Sequence, residues 1–435
     1  MNGREELFRY FGHENWWFAR LLEVLHELKV KRHYPITDVL IRENEYIYFS
    51  TVKAFQPLPH LEEGRPFKPT REDLMRVLET LGKDFEVLEL KYGLRERLNE
   101  KESIDFSFAI KGLGIYRCNV SFSENLFSPD GRSLGISIRI LDFEVPNLSD
   151  VFYPPSYRKL LAEGKKPPIR FVEEYKIFFQ RLIGKQVIKK PRLENGEWKE
   201  STIEKKVVRT GGLILHVGPT GSGKTTTIAS EIGFLARETT GVIVTYENPI
   251  EYRYVGFPAP VRQYELGKHL REESKVILRH LLRVNPSVAL YGEARTLEEV
   301  KMVLDVANRG HLVFSTIHAN NVKEALGVLT SACLNEMHLL ANGLIMIVAH
   351  RLILNGQGEI VPIIEVWSPD KVDRTSLLRG DLKEVYRRFY QEKVKREGIG
   401  WTFKDYLDEL AKVGIIDYGL KEELIRNAPI VFEPV

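Results

Sequence analysis

Cysteine is almost missing from this chain, with two residues, Cys118 and Cys333, among 435. Two isolated thiols make no disulfide framework, no CxxC pair and no structural zinc site. A reducing compartment is the simplest expectation. Long apolar runs are missing too. The longest, such as Gly343–Ala349 (GLIMIVA), fall far short of the ~20 residues that cross a bilayer. The opening MNGREELFRYFGHENWWFARLLEVL lacks the basic-then-apolar layout of a signal peptide. Neither a cleaved export signal nor a membrane span is therefore expected. No sign of charge dominates, with 63 Lys and Arg against 60 Asp and Glu. Repeats and low-complexity tracts are also lacking. With 43% hydrophobic residues, the chain can bury two or three cores, so global disorder is excluded.

Four segments are expected. Residues 1–155 read as a compact α+β domain. An aromatic helical start, WWFARLLEVL, is followed by alternating runs, IDFSFAI at Ile104–Ile110 and LGISIRI at Leu134–Ile140, which suit half-buried strands. The aromatic start suits packing on its own domain, with docking to a membrane platform protein as the sharper reading. Residues 156–206 read as a basic linker or insertion. Within them, 158–206 hold 14 Lys and Arg against 7 Glu, and KKPP and KKP interrupt the segment. YKIFFQRLI could form one helix there. The bland reading is a solvated connector; the sharper one is a surface for acidic partners or lipid head groups. Residues 207–370 carry short apolar runs (GLILHVG, GVIVTYE, VALYG, HLVFSTI) between helical stretches. Such runs suit strands buried on both faces of a parallel sheet, so an α/β core is expected. Residues 371–435 read as helical and charged.

The most specific signal is Gly218, Pro219, Thr220, Gly221, Ser222, Gly223, Lys224 and Thr225. It satisfies GxxxxGK[ST] between a strand-like and a helix-like run. Glycines let successive N–H groups converge on a phosphate, and the following helix adds its dipole. Lys224 would reach the β- and γ-phosphates of ATP, and Thr225 would hold Mg2+, with Thr226 beside them. Carboxylates extend the pattern. In VALYGEARTLEE the strand is followed by Glu293, and in YENPIEY Glu247 and Glu251 follow another strand. Acids at two strand ends can divide metal holding from water activation. GHLVFSTIHANN puts His311 and His318 at the ends of one strand, where a histidine could sense the γ-phosphate. LRHLLRVNP puts Arg279 and Arg283 on one helical face, where they could reach a neighbour's phosphates.

In order, GPTGSGKTTT, YENPIEY, GEARTLEE and GHLVFSTIHANN resemble the Walker A, Asp, atypical Walker B and His boxes of the type II/IV secretion ATPase superfamily, and within it the PilT-like pilus motors. IDFSFAIKGLGIYRCNVSF resembles that family's N-terminal PAS-like domain, and FKDYLDELAKVGIIDYGLKEEL its C-terminal helices. The resemblance implies an α/β, RecA-like P-loop core and a Mg2+-dependent ATPase assembled as a homo-hexamer. It would sit in the cytoplasm, peripheral to the inner face of the membrane, and act on an inner-membrane platform protein. Glu293 would be the catalytic glutamate, Glu247 an acid near the metal, and His318 a γ-phosphate contact. Arg279 and Arg283, with Arg117 and Arg139 of the N-terminal domain, would approach nucleotide across subunits. Nucleotide-driven domain closure would then supply the motion.

The chain departs from the family at Asn248, Asn285 and Thr296, where members usually carry Asp. Each departure deletes a negative charge, so slower turnover is expected. The AIRNLIRE-like segment of retraction motors reads VDRTSLLRGDL here, and the four-cysteine module of extension motors cannot be built from two cysteines. Two other function classes remain open. A nucleotide-gated, non-catalytic assembly subunit would fit the lost aspartates, although intact Glu293 and His318 argue against it. A RecA-like nucleic-acid motor would use the basic segment with Tyr175, Phe178, Phe179 and Trp198 as stacking platforms. Phe178 and Phe179 lie in an apolar run that suits packing, so a nucleic-acid partner is not expected.

Overall fold

The computed structural model describes residues 11, 12, 14–28, 36, 38–50, 55–58, 67–84, 87, 90, 94–100, 103–110, 113–125, 130–141, 145–194, 197–267, 269–391 and 399–428. The chain divides into two compact units, Met1–Glu144 and Val145–Val435.

The first unit contains α1 (Trp16–His26), β1 (Asp38–Arg42), β2 (Tyr48–Ser50), β3 (Phe55–Pro57), α2 (Arg71–Asp84), α3 (Leu94–Asn99), β4 (Ile104–Ile110), β5 (Gly114–Glu124) and β6 (Arg132–Leu141). Its strands form one antiparallel sheet in the order β3-β2-β1-β6-β5-β4. This is the α+β arrangement that the alternating runs imply. Ile104, Phe106 and Phe108 of β4 and Leu134, Ile136 and Ile138 of β6 are buried, while Asp105 and Arg139 are exposed. The aromatic helix packs on its own unit. Trp17 and Phe18 of α1 are buried, and Trp17 stacks on Phe67 with centroids 5.2 Å apart.

The second unit opens with α4 (Pro155–Ala162) and α5 (Arg170–Arg181), followed by a hairpin of β7 (Ile183–Glu194) and β8 (Glu197–Val208). The core follows as β9 (Gly212–Val217), α6 (Lys224–Glu238), β10 (Ile243–Glu247), β11 (Val261–Glu265), α7 (Ser274–Val284), β12 (Val288–Tyr291), α8 (Leu297–Asn308), β13 (Leu312–Ile317), α9 (Val322–Ala332), α10 (Met337–Gly343), β14 (Leu344–Leu354) and β15 (Ile360–Trp367). It closes with α11 (Lys371–Leu378), α12 (Leu382–Tyr386), β16 (Gly400–Trp401), α13 (Phe403–Val413) and α14 (Tyr418–Asn427). The eight-stranded sheet runs β11-β10-β12-β13-β9-β14-β15-β16. From β11 to β14 all neighbours are parallel, and β15 and β16 add antiparallel pairs. β9, β10, β12 and β13 are buried along their whole length, as strands covered by helices on both faces must be.

The basic segment differs from the expected connector. The unit boundary falls at Glu144 and Val145, and α5 buries Phe171, Val172, Tyr175 and Phe179 in the core of the second unit. Phe171 stacks on Trp401 at 4.7 Å. Burying a side chain of this size contributes about 1.5–3 kcal/mol, which outweighs the segment's polar composition. Tyr175 and Phe179 are thereby withdrawn from any stacking role, and the side chain of Trp198 lies outside the described residues. The positive surplus is also partly neutralised, since Lys165, Lys185 and Lys206 pair with Glu163, Glu204 and Glu238 at 2.6–2.8 Å. Both cysteines are buried as free thiols. Among the described residues no helix is long and apolar enough to cross a membrane.

Candidate functional site

β9 ends at Val217 and α6 begins at Lys224, so the glycine-rich octet is the turn between them. Gly218 has φ of 150°, and a Cβ there would lie 2.5 Å from Ser222 Oγ and 2.7 Å from the His350 carbonyl. Gly223 caps α6 in the left-handed region with φ of 94°, which costs other residues about 1–2 kcal/mol. These two glycines let the turn fold tightly against β14 and present its N–H groups at the start of α6. Lys224 Nζ donates to the carbonyls of Gly218 and Pro219 at 2.7 and 2.9 Å. Burial holds its pKa below the usual lysine value, opposed by the nearby negative charges of Glu293 and Glu251. Tyr252 donates its hydroxyl to Thr226 Oγ1 at 3.1 Å.

Parallel register brings the next residues to the same sheet edge, where β10, β12 and β13 also end. Beyond β12 the chain is stitched on both sides. Gly292 N donates to Tyr246 O at 2.8 Å, and Ala294 N to Thr316 O at 2.8 Å. Glu293 is held between them. Its Oε1 lies 2.8 Å from His318 Nε2, and its Oε2 accepts from Arg295 Nε at 2.8 Å. The Walker-B-like and His-box residues therefore meet directly. Glu247 ends β10, is only 6% exposed, and accepts from Gln263 Nε2 at 3.4 Å. Burial pushes its carboxyl up to about 7.

His311 does not join this site. It precedes β13, at the opposite sheet edge from His318, and a six-residue strand separates such ends by about 20 Å. Its Nδ1 lies 2.7 Å from the Pro286 carbonyl, which makes it a buried structural histidine. The expectation that His311 senses phosphate is therefore corrected. Arg279 and Arg283 are exposed on α7. Arg117 and Arg139 belong to the first unit, directly opposite each other on β5 and β6. Arg139 Nε donates to Asp38 Oδ1 at 2.8 Å.

The departures from the family pattern have local reasons. Thr296 caps α8 in a full capping box with Glu299, a role Thr fills nearly as well as Asp. Asn285 ends α7 with φ of 48°, a conformation that Asn tolerates better than most residues. Asn248 donates through Nδ2 to Glu272 Oε1, which a carboxylate could not do. Three features escaped sequence reading. Arg351 of β14 donates to Asn320 of the His318 loop. Glu365 bonds the start of α9 at Val322 N, 2.7 Å away. Beneath the glycine-rich turn, Tyr175, Glu231, His216 and His350 form a fully buried polar string. No local pattern marks these residues, because their partners lie 15–134 positions away.

Comparison with known proteins places this geometry. Residues 181–360 match the family described as Type II/IV secretion system protein. The chain is 32% identical to the type IV pilus ATPase PilU of Pseudomonas aeruginosa over 232 residues, 53% of this chain and 47% of the relative. It is 32% identical to type II secretion system protein E of the same organism over 175 residues, 40% of this chain and 34% of the relative. The matches span less than half the length of these curated relatives. Among solved structures, the Legionella pneumophila ATPase DotB superposes with a TM-score of 0.67 at 19% identity, covering 95% of each chain. The pilus retraction motor PilT with bound ADP superposes with 0.62 at 24% identity, covering 92% of this chain and 96% of the other. These two show the shared α/β fold, with the mixed parallel sheet of a RecA-like core. Residues 181–360 are thus similar to the Type II/IV secretion system protein family, and the glycine-rich turn, Glu247, Glu293 and His318 lie along one sheet edge.

Proposed function

We propose that the chain is an ATP-hydrolysing motor subunit of a type IV pilus or related secretion machine, working as a ring of six copies. The observation that carries this reading is the 2.8 Å contact between Glu293 and His318 at neighbouring strand ends, with Glu293 close enough to act on the charge of Lys224. A P-loop lysine and an acid able to position water recur in cleavage of a terminal phosphate, and His318 stands beside that acid.

The phosphates of ATP would lie on the N–H groups that open α6. Binding would move Lys224 Nζ from the Gly218 and Pro219 carbonyls to charged phosphate oxygens, a stronger pairing. Mg2+ would be held by the Thr225 hydroxyl together with Glu293 and Glu247. This all-oxygen donor set suits an ion that keeps several waters and binds phosphate oxygens. When bound, the ion supplies charge neutralisation on the phosphates.

Glu293 would orient the attacking water and receive its proton. A γ-phosphate that draws His318 toward itself would break the Glu293 contact and free Oε1 for that water. Nucleotide state would thus be coupled to the position of the His318 loop. Exposed Arg279 and Arg283 would reach the phosphates of a neighbouring copy, and Arg117 and Arg139 would do so from an N-terminal domain of PAS type. Closing and reopening between domains would deliver motion to a platform protein at the inner membrane face.

The test is Mg2+-dependent ATP hydrolysis measured against protein concentration, beside Glu293→Gln. The expected result is activity that rises more than proportionally with concentration and collapses in the variant. Flat or Glu293-independent turnover would refute the composite-ring reading.

A further inference from the structure

Behind the His318 loop lies a buried carboxylate for which the hydrolysis scheme above has no role. Glu365 of β15 is wholly buried, and it ties three segments together. Its Oε1 accepts from Val322 N at 2.7 Å and from the Tyr390 hydroxyl at 2.8 Å, while its Oε2 accepts from Phe403 N at 3.4 Å. One side chain thus faces the amino ends of both α9 and α13, where helix dipoles favour negative charge. Tyr390 extends the connection by accepting from Lys323 N at 3.2 Å, and Tyr386 donates to Lys323 O at 3.2 Å.

The loop just upstream is also anchored. Asn321 caps α9 by accepting from Glu324 N at 2.9 Å, and Asn320 N donates to Glu324 Oε2 at 2.8 Å. His318 stands two residues before Asn320, at the Glu293 contact. A buried carboxylate that loses a donor is costly, because water cannot replace it. The start of α9, Tyr390 and the start of α13 are therefore expected to move together.

We infer that Glu365 is a positioning residue for His318, with Tyr390 and Tyr386 as the arm through which the C-terminal helices control the reach of His318 toward the terminal phosphate. This rests on the motor reading above and deepens it, since it supplies a route by which a partner displacing those helices changes hydrolysis without touching the glycine-rich turn. Burial, which pushes the Glu365 carboxyl up to about 7 against the pull of its three donors, agrees with a tightly enclosed junction.

Tyr390→Phe tests the inference, because it removes one hydroxyl and keeps the ring. Three quantities would be measured: the Kd for fluorescent ADP, and kcat and KM for ATP, in wild type and in the His318→Ala background. The expected result is ADP affinity within about twofold, KM unchanged, and kcat lowered about fivefold to tenfold, the scale of one lost hydrogen bond. In the His318→Ala background, Tyr390→Phe should add nothing further. Tyr386→Phe should shift kcat in the same direction. Unchanged kcat, a loss carried by KM, or an equal further loss without His318 overturns the inference while leaving the motor reading intact. A wild-type protein that binds ATP without turning it over overturns both.

Discussion

The polar string beneath the glycine-rich turn makes a quantitative prediction about Glu231. The Tyr175 hydroxyl donates to its Oε1, its Oε2 lies 2.9 Å from His216 Nε2, and His216 Nδ1 lies 2.9 Å from His350 Nε2. All four residues are buried. Burial pushes the Glu231 carboxyl well up and His216 down to about 3. Burial thus favours the protonated carboxyl and the neutral imidazole, which stand side by side. Glu231→Gln keeps an uncharged group of the same size, whose carbonyl can accept from Tyr175 as Glu231 Oε1 does.

The sign of the pH effect follows from proton counting. Above its unfolded value of 4.5, Glu231 loses its proton in the unfolded chain and keeps it in the folded one. Wild-type stability then falls by about 1.4 kcal/mol per pH unit from this residue until the raised folded pKa is reached. The two histidines act oppositely: neutral in the fold and charged when unfolded below 6.5, they add stability as pH rises to that value. They are present in both proteins and cancel in the comparison. Urea unfolding from about pH 5.5 to 7.5 should show the glutamine variant gaining on wild type as pH rises, at no more than about 1.4 kcal/mol per pH unit. Parallel pH curves, with the variant less stable throughout, would mean that Glu231 is ionised in the fold and would refute the reasoning.

Other perturbations separate local structure from chemistry. Thr296→Ala removes the cap of α8 and should cost about 1 kcal/mol in urea unfolding, whereas Thr296→Asp should be nearly neutral. Asn248→Asp replaces a donor to Glu272 with a second carboxylate. It should lower stability by about 1 kcal/mol, with the deficit shrinking in high salt. A variant as stable as wild type would return the family aspartate to consideration as a simple gain.

Much of the second unit was legible from local pattern. Continuous apolar runs identify β9, β10, β12 and β13 because a strand covered on both faces has no polar side to show. The glycine-rich octet is readable because phosphate-binding turns require glycine at fixed steps. The connector reading of 156–206 rested on charge and proline. It missed that α5 carries an apolar stripe of Phe171, Val172, Tyr175 and Phe179, whose partner Trp401 lies far along the chain. His311 and His318 look equivalent in sequence, and strand direction alone separates them.

What the sequence determined by itself is therefore the set of short-range features: strand and helix periods, the phosphate-binding turn, and the order of the four boxes. Tertiary structure decided which of the marked residues share one sheet edge, bringing Glu293 to His318 and sending His311 to the far end. It also raised the carboxyl pKa values of Glu231, Glu247 and Glu365, because a carboxyl's pKa is set by the water it loses and the donors it meets. Those neighbours come from strands and helices distant in sequence, so no local pattern can encode them.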